Sequence, residues 1–229
     1  MNSITTSTTK IISKFYYYIM AAIMCAMAVF VFFAGGRILM LALVWNMLLA
    51  LIPVLITDIM KKMRYRGPKF LALLIWLVFL PNAFYMLTDI MHIQFLVLET
   101  SSSAYVINGY SRDIVEWMTF FTILSMGIYG FLLGCHSVVD MTTVIKPIHD
   151  RVFYVIISIL SAIGIYIGRF LRFNTWDLIH PRSLLRTVLA SADRFTLMFV
   201  VVMSVVIYTG IIRYAKTHLM IDEQKKTDS

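Results

Sequence analysis

Asn82, Tyr85, Asp89 and His92 follow one another at intervals of three, four and three residues, a spacing that on a continuing helix aligns all four along one stripe. The chemistry this offers is proton handling. A carboxylate and an imidazole three residues apart can share a proton or a cation, which makes Asp89 and His92 the candidate catalytic pair. Tyr85 adds a hydroxyl. Asn82 adds an amide that can serve the carbonyl freed by Pro81, whose ring removes a backbone donor. The structural alternative is a proline kink with polar side chains joining helices.

A second string, GRFLRFNTWD at 168–177, places Arg169 and Arg172 beside Asn174, Trp176 and Asp177. Arginine keeps its charge at any accessible pH and grips phosphate or carboxylate with paired N–H donors. Asn82, Tyr85, Arg169, Arg172, Asn174, Trp176 and Asp177 are therefore the candidate ligand-binding set, with Asp177 placed to steady an arginine fork. The plain alternatives are arginines that snorkel to an interface and a tryptophan that anchors there. His180 repeats the Asp-x-x-His spacing, so a four-ligand metal site can be drawn. Two such pairs carry little metal signal, and no metal or other cofactor is expected.

Both strings stand at the ends of apolar runs, where an ionisable residue is costly and so marks a site. Residues of the AVILMFWYC set make up 60% of the 229 residues and charged ones 14%, against roughly 25% charged in soluble domains. The expected fold is all-α: a polytopic membrane protein with about six transmembrane helices, at roughly 14–34, 37–57, 69–90, 115–138, 152–172 and 195–214. Residues 1–13 form an N-terminal tail, 14–214 a single six-helix membrane domain and 215–229 a C-terminal tail. The first span is long and soon followed by a second, so it reads as a retained anchor behind Lys10 and Lys14.

A net charge of +8 could suggest nucleic acid, but the basic residues lie in short connections between apolar runs. No nucleic acid is expected; membrane lipids are. Counted tail to tail, the connections hold 2, 1, 5, 1, 2, 5 and 4 Lys and Arg, which gives 13 on the side of the tails and 7 on the other. The positive-inside rule puts both termini in the cytoplasm. Five of the seven outer charges are arginines at or after the fifth span: Arg169, Arg172, Arg182, Arg186 and Arg194. Helix counting ends both polar strings at that outer face, so one shared outer-leaflet pocket is the expectation.

The remaining signals are structural. Gly127, Gly130, Gly134 and Ser137 line one face of the fourth span and Ser161, Gly164 and Gly168 one face of the fifth, a pattern that lets backbones approach. Asn46, mid-span beside Trp45, suits a hydrogen bond between helices. TDIM occurs at 57–60 and 88–91, each with a Trp thirteen residues before its Asp; four matching residues read as chance. The stretch 183–194 has Leu184, Leu185, Val188 and Leu189 on one side, which suits a short helix in the outer interface or one packed on the protein. Residues 99–113 read as an outer loop. Cys25 and Cys135 lie in apolar surroundings with no metal spacing, and a disulfide is not expected.

WNMLLALIP (45–53), WLVFLPNAFYMLTDIMHI (76–93) and GIYIGRFLRFNTWDL (164–178) together resemble the bacterial membrane family called domain of unknown function 1361, in order and over most of the chain. The resemblance implies a location in the bacterial cytoplasmic membrane and supports Asn82, Tyr85, Asp89, His92, Arg169, Arg172, Asn174, Trp176 and Asp177 as motif positions, without assigning them a role. Phe84 stands where the family commonly has proline, and His180 is not part of its pattern. The leading functional expectation is recognition, or chemical processing or transfer, of an anionic amphiphile such as a lipid or lipid-linked phosphate. The alternatives are a non-catalytic assembly or scaffolding subunit and, third, a proton-coupled small-solute transporter. No protein partner is identified by the sequence, and no nucleotide, haem, flavin or hydrolase signature occurs.

Overall fold

The computed structural model describes residues 2–96, 99–103, 106–171, 186–187, 190 and 193–227. Six helices dominate: α1 (Asn2–Gly35), α2 (Ile38–Lys62), α3 (Arg66–Thr88), α4 (Ile114–Ile145), α5 (Asp150–Arg169) and α6 (Arg194–Thr227). Six stretches are long and apolar enough to cross a membrane: Tyr16–Gly35, Ile38–Lys62, Arg66–Phe95, Ile114–Ile145, Asp150–Arg169 and Arg194–Thr217. Even the shortest, at 20 residues, reaches about 30 Å at 1.5 Å per residue, the thickness of a hydrocarbon core.

The helix ends follow local chemistry. Gly36 takes the left-handed conformation (φ +66°) and its N–H returns to the Phe32 carbonyl at 2.7 Å, closing α1 in the manner of an αL cap. Lys146 does the same for α4 (φ +51°), bonding the Thr142 carbonyl at 2.8 Å, and Pro147 then blocks continuation. Asp113 starts α4 by accepting the Val115 N–H at 2.9 Å.

Three features depart from the sequence reading. Both terminal segments are helical, since α1 begins at Asn2 and α6 runs to Thr227. The loop after the third span holds an antiparallel hairpin, β1 (Glu99–Ser103) and β2 (Val106–Tyr110), paired from Glu99 with Tyr110 to Ser103 with Val106. Serine, threonine and glycine there masked the alternation that signals strands. The fifth span ends at Arg169, three residues early.

The chain divides into two compact units: Met1–Leu48 with Met86–Gly130, and Leu49–Tyr85 with Phe131–Ser229. In the first, Met40, Leu43, Met47, Met86, Ile123 and Met126 are buried. Gly127 of α4 lies against α3 and its continuation, where a Cβ would come within 2.7 Å of Ile90 Cγ1 and 3.0 Å of the Met86 carbonyl oxygen. Arg37 pairs with Glu116, and the Tyr129 hydroxyl donates to the Tyr17 carbonyl at 2.7 Å.

In the second unit Trp76, Leu80 and Phe84 of α3 are fully buried in a core shared with α4, α5 and α6. A Cβ on Gly134 would stand 2.7 Å from Phe84 Cε1, and one on Gly164 2.6 Å from Pro81 Cγ. The small-residue faces of α4 and α5 are thus the faces that α3 fills. Ser137 joins the same surface by accepting the Trp76 indole N–H at 2.8 Å. Ser137 and Thr57 hydroxyls are 3.2 Å apart, and Thr57 donates to the Pro53 carbonyl at 2.8 Å. Because each hydroxyl carries one proton, Ser137 must donate to Thr57, which fixes the direction of the whole chain. Lys61 pairs with Asp140. The two TDIM copies occupy unlike surroundings, for Trp76 is fully buried and Trp45 is 58% exposed.

Gly164→Ala should lower stability by about 1–3 kcal/mol, because the atom it meets belongs to a proline ring that has no other rotamer. Gly67→Ala, in the first turn of α3 with nothing within 4 Å beyond its chain neighbours, should cost less, about 1 kcal/mol at most, because only the ring of the following Pro68 crowds the added Cβ. Thermal unfolding in detergent distinguishes the two; equal effects would mean that the close approach to α3 is not a constraint.

Candidate functional site

Asp89 is where α3 changes type. The α-helix stops at Thr88, and Asp89–Phe95 continues as a 3-10 helix. With three residues per turn, side chains at i and i+3 eclipse one another, so Asp89 and His92 line up along the helix axis. The sequence reading placed them on a continuing α-helix; the tighter winding aligns them more closely than that. His92 Nε2 stands 3.8 Å from Asp89 Oδ1.

The carboxylate is 2% exposed, and its second oxygen accepts the Asn46 side-chain N–H at 2.9 Å. Asn46 comes from α2. An amide donor, a buried carboxylate and an imidazole thus form one series, all within the first unit. His92 keeps 26% of its side chain exposed and lies beside Phe95, ring centroids 6.1 Å apart. At 3.8 Å the imidazole and the carboxylate are within ion-pair range and farther apart than a hydrogen bond.

The second unit holds Tyr85, Asn82 and Arg169. Arg169 is the last residue of α5, where the carbonyl end of the helix favours a cation. Its guanidinium carbon sits 4.1 Å from the centroid of the Tyr85 ring, a cation–π contact. Tyr85 therefore supports the arginine with its ring face. Asn82 turns back on its own helix and donates to the Phe79 carbonyl at 3.3 Å. It serves a carbonyl near the proline, although not that of Leu77, four residues before Pro81.

The end of α5 is tied to the start of α6. Asp193 Oδ1 accepts the Thr196 backbone N–H at 2.8 Å and lies 2.7 Å from its hydroxyl, as a helix N-cap does. The Thr196 hydroxyl is also 2.7 Å from the Tyr166 hydroxyl, so it stands between the carboxylate and the end of α5. These bonds from Thr196, backbone first, hold the Asp193 carboxyl below its usual range. The cap is therefore complete above the ordinary carboxylate range and is lost as pH falls through the lowered value.

The predicted stripe is thus divided: Asp89 and His92 lie in one unit, Asn82, Tyr85 and Arg169 in the other. Arg172, Asn174, Trp176 and Asp177 lie outside the described residues, as do His180 and most of 183–194. Asn46 is the residue that the site adds. Its mid-span position signalled a hydrogen bond between helices, but nothing in the spacing named Asp89 as its partner. Among the described residues no group of three or more His, Cys, Asp and Glu is arranged to hold a metal ion.

Asn46→Leu should destabilise the protein by about 1–3 kcal/mol, the cost of leaving a buried acceptor without its donor. Asn46→Leu with Asp89→Leu should cost less than the two single changes added. Thermal unfolding of the four proteins measures the coupling, and strict additivity would show that the bond contributes nothing.

No curated protein and no solved structure matches the chain at a significant level. Residues 45–209 match the family described as "Protein of unknown function (DUF1361)". That stretch runs from the helix that carries Asn46 to the last membrane-length helix, well over half of the sequence, and the chain belongs to this family.

Proposed function

We propose that this protein is an integral multi-pass protein of the bacterial cytoplasmic membrane that recognises or processes an anionic amphiphile, a lipid or lipid-linked phosphate, in the outer leaflet. The observation that carries the reading is the Asn46–Asp89–His92 series. A carboxylate 2% exposed within a membrane-length helix is expensive to maintain, and one of its oxygens is directed at an imidazole that remains accessible. Such a pair takes up or releases a proton as a ligand binds or reacts. Arg169, held on the Tyr85 ring, supplies a cation of the kind that grips phosphate.

In this reading Asp89 orients His92 and His92 moves the proton, while Arg169, in the other unit, offers a cation to an anion. Arg172, with Asn174, Trp176 and Asp177, extends the same basic string. The charge count along the sequence, 13 against 7, supports cytoplasmic termini and with them the outer-leaflet assignment.

Two measurements test the proposal. Lipids extracted from the gently purified protein and identified by mass spectrometry should contain one anionic species in about equimolar amount, and Arg169→Gln should lose it. A lipid profile equal to that of the bulk membrane in both proteins, or a stoichiometric protein partner in its place, would replace this reading with a scaffold. For orientation, Ser102→Cys should react with an impermeant thiol reagent on intact cells and Thr227→Cys should not. Labelling of Ser102→Cys only after the cells are opened would reverse the topology and remove the site from the outer leaflet.

A further inference from the structure

A hydroxyl on a membrane-length helix has a ready partner, the carbonyl four residues back on its own helix. Thr57, Thr119, Thr122, Ser158 and Ser204 take it, at 2.6–2.8 Å. Ser161 of α5 does not. It is 1% exposed, and its Oγ is buried without a hydrogen-bond partner. Closed off from water as well, that hydroxyl can be satisfied only by another group of the protein, and leaving it unpaired is costly.

An acceptor deprived of its helical donor lies on α3. Pro81 has no N–H for the Leu77 carbonyl four residues before it, and the Asn82 amide turns to Phe79 instead. Three contacts set the register of the two helices: Trp76 stacks on Phe153, Pro81 is seated on Gly164 and the Tyr85 ring covers Arg169. Residue numbers rise together, so α3 and α5 run parallel. Ser161 lies about one turn before Gly164, as Leu77 lies about one turn before Pro81. The Leu77 carbonyl points along the helix at the proline nitrogen, on the face that the ring presents to α5. Orphan hydroxyl and freed carbonyl thus stand level on the two sides of one close helix contact, within the second unit.

We infer that α3 is a hinge at Pro81 with a second conformation, in which Ser161 donates to the Leu77 carbonyl. A proline is where a helix bends. The contact of Pro81 with Gly164 serves as the fulcrum: the turn before it closes on α5, and the segment beyond it tilts away and lifts the Tyr85 ring from Arg169. Each conformation satisfies what the other leaves unmet. The first covers the arginine and leaves donor and acceptor apart, whereas the second pairs them and gives up the ring contact. Such opposed local terms keep two states close in free energy, so that the minor one is populated. The inference is independent of the lipid reading, for it needs no ligand.

Methyl relaxation dispersion on the detergent-solubilised protein, carrying 13C-methyl methionine, tests this on the microsecond-to-millisecond scale of hinge motion. The probe is Met86, five residues beyond Pro81 on the same helix, its signal assigned by its loss in Met86→Leu. Wild-type protein should show exchange at Met86, and Ser161→Ala should abolish it. The same substitution should raise the unfolding temperature by about 2–4 °C, because an unpaired buried donor is removed. A flat dispersion profile at Met86 in the wild-type protein would overturn the hinge, as would exchange that persists unchanged in Ser161→Ala. A lowered unfolding temperature in Ser161→Ala would overturn it as well, since the hydroxyl would then already be bonded in the main conformation.

Discussion

Close approach of helices to α3 is the constraint on which the other features depend. Lipid tails are as apolar as leucine, so helices in a membrane gain little from hiding apolar surface and associate through contact at short range. In each unit the small residues of α4 face bulky groups of α3 or its continuation: Gly127 faces Ile90 and Gly134 faces Phe84. Gly164 of α5 faces Pro81. The proline is thereby seated against a neighbouring backbone, and the helix beyond it carries Tyr85 and then Asp89. Substituting a larger residue at these glycines would displace the segment that carries the polar groups.

The polar groups follow from the same absence of water. A buried donor or acceptor in a membrane must find its partner in the protein, and two hydrogen-bond series satisfy this in different ways. Trp76, Ser137, Thr57 and the Pro53 carbonyl form a series with one proton per link and a fixed direction. It contains no group that titrates near neutral pH, so it joins helices and does nothing more. The Asn46–Asp89–His92 series has a carboxylate in the middle and a partly exposed imidazole at the end. A network of the first kind is complete in itself, whereas the second has a member that can change charge and that faces outward.

Much of the architecture was legible in the sequence because apolar run length and small-residue spacing are strong, local signals. The six spans and the α4 stripe need no knowledge of distant residues. The hairpin at Glu99–Tyr110 was not legible, since β1 (ETSSS) holds no apolar residue and β2 (VINGY) has no apolar alternation. The pairings among the described candidate residues were only partly legible. Asp89 with His92 follows from spacing, but Asn46 with Asp89 and Tyr85 with Arg169 join residues 43 and 84 positions apart, and no periodicity within one helix contains that information.

The change of helix type at Asp89 explains why one string of polar residues yields two different arrangements. From Asn82 to Thr88 the winding is α-helical, so Asn82 and Tyr85 are offset by about 60° around the axis, given 100° per residue. From Asp89 to Phe95 the winding is 3-10, and the same three-residue interval between Asp89 and His92 closes a full turn. Equal spacing in sequence thus becomes offset in one segment and alignment in the next. Asn82 can turn to its own backbone while Tyr85 presents its ring to Arg169, and Asp89 and His92 are left facing each other. The 3-10 segment is therefore what brings an Asp-x-x-His spacing to a carboxylate–imidazole distance of 3.8 Å. Its short helical turns, rather than the residues alone, set the distance between the carboxylate and the imidazole.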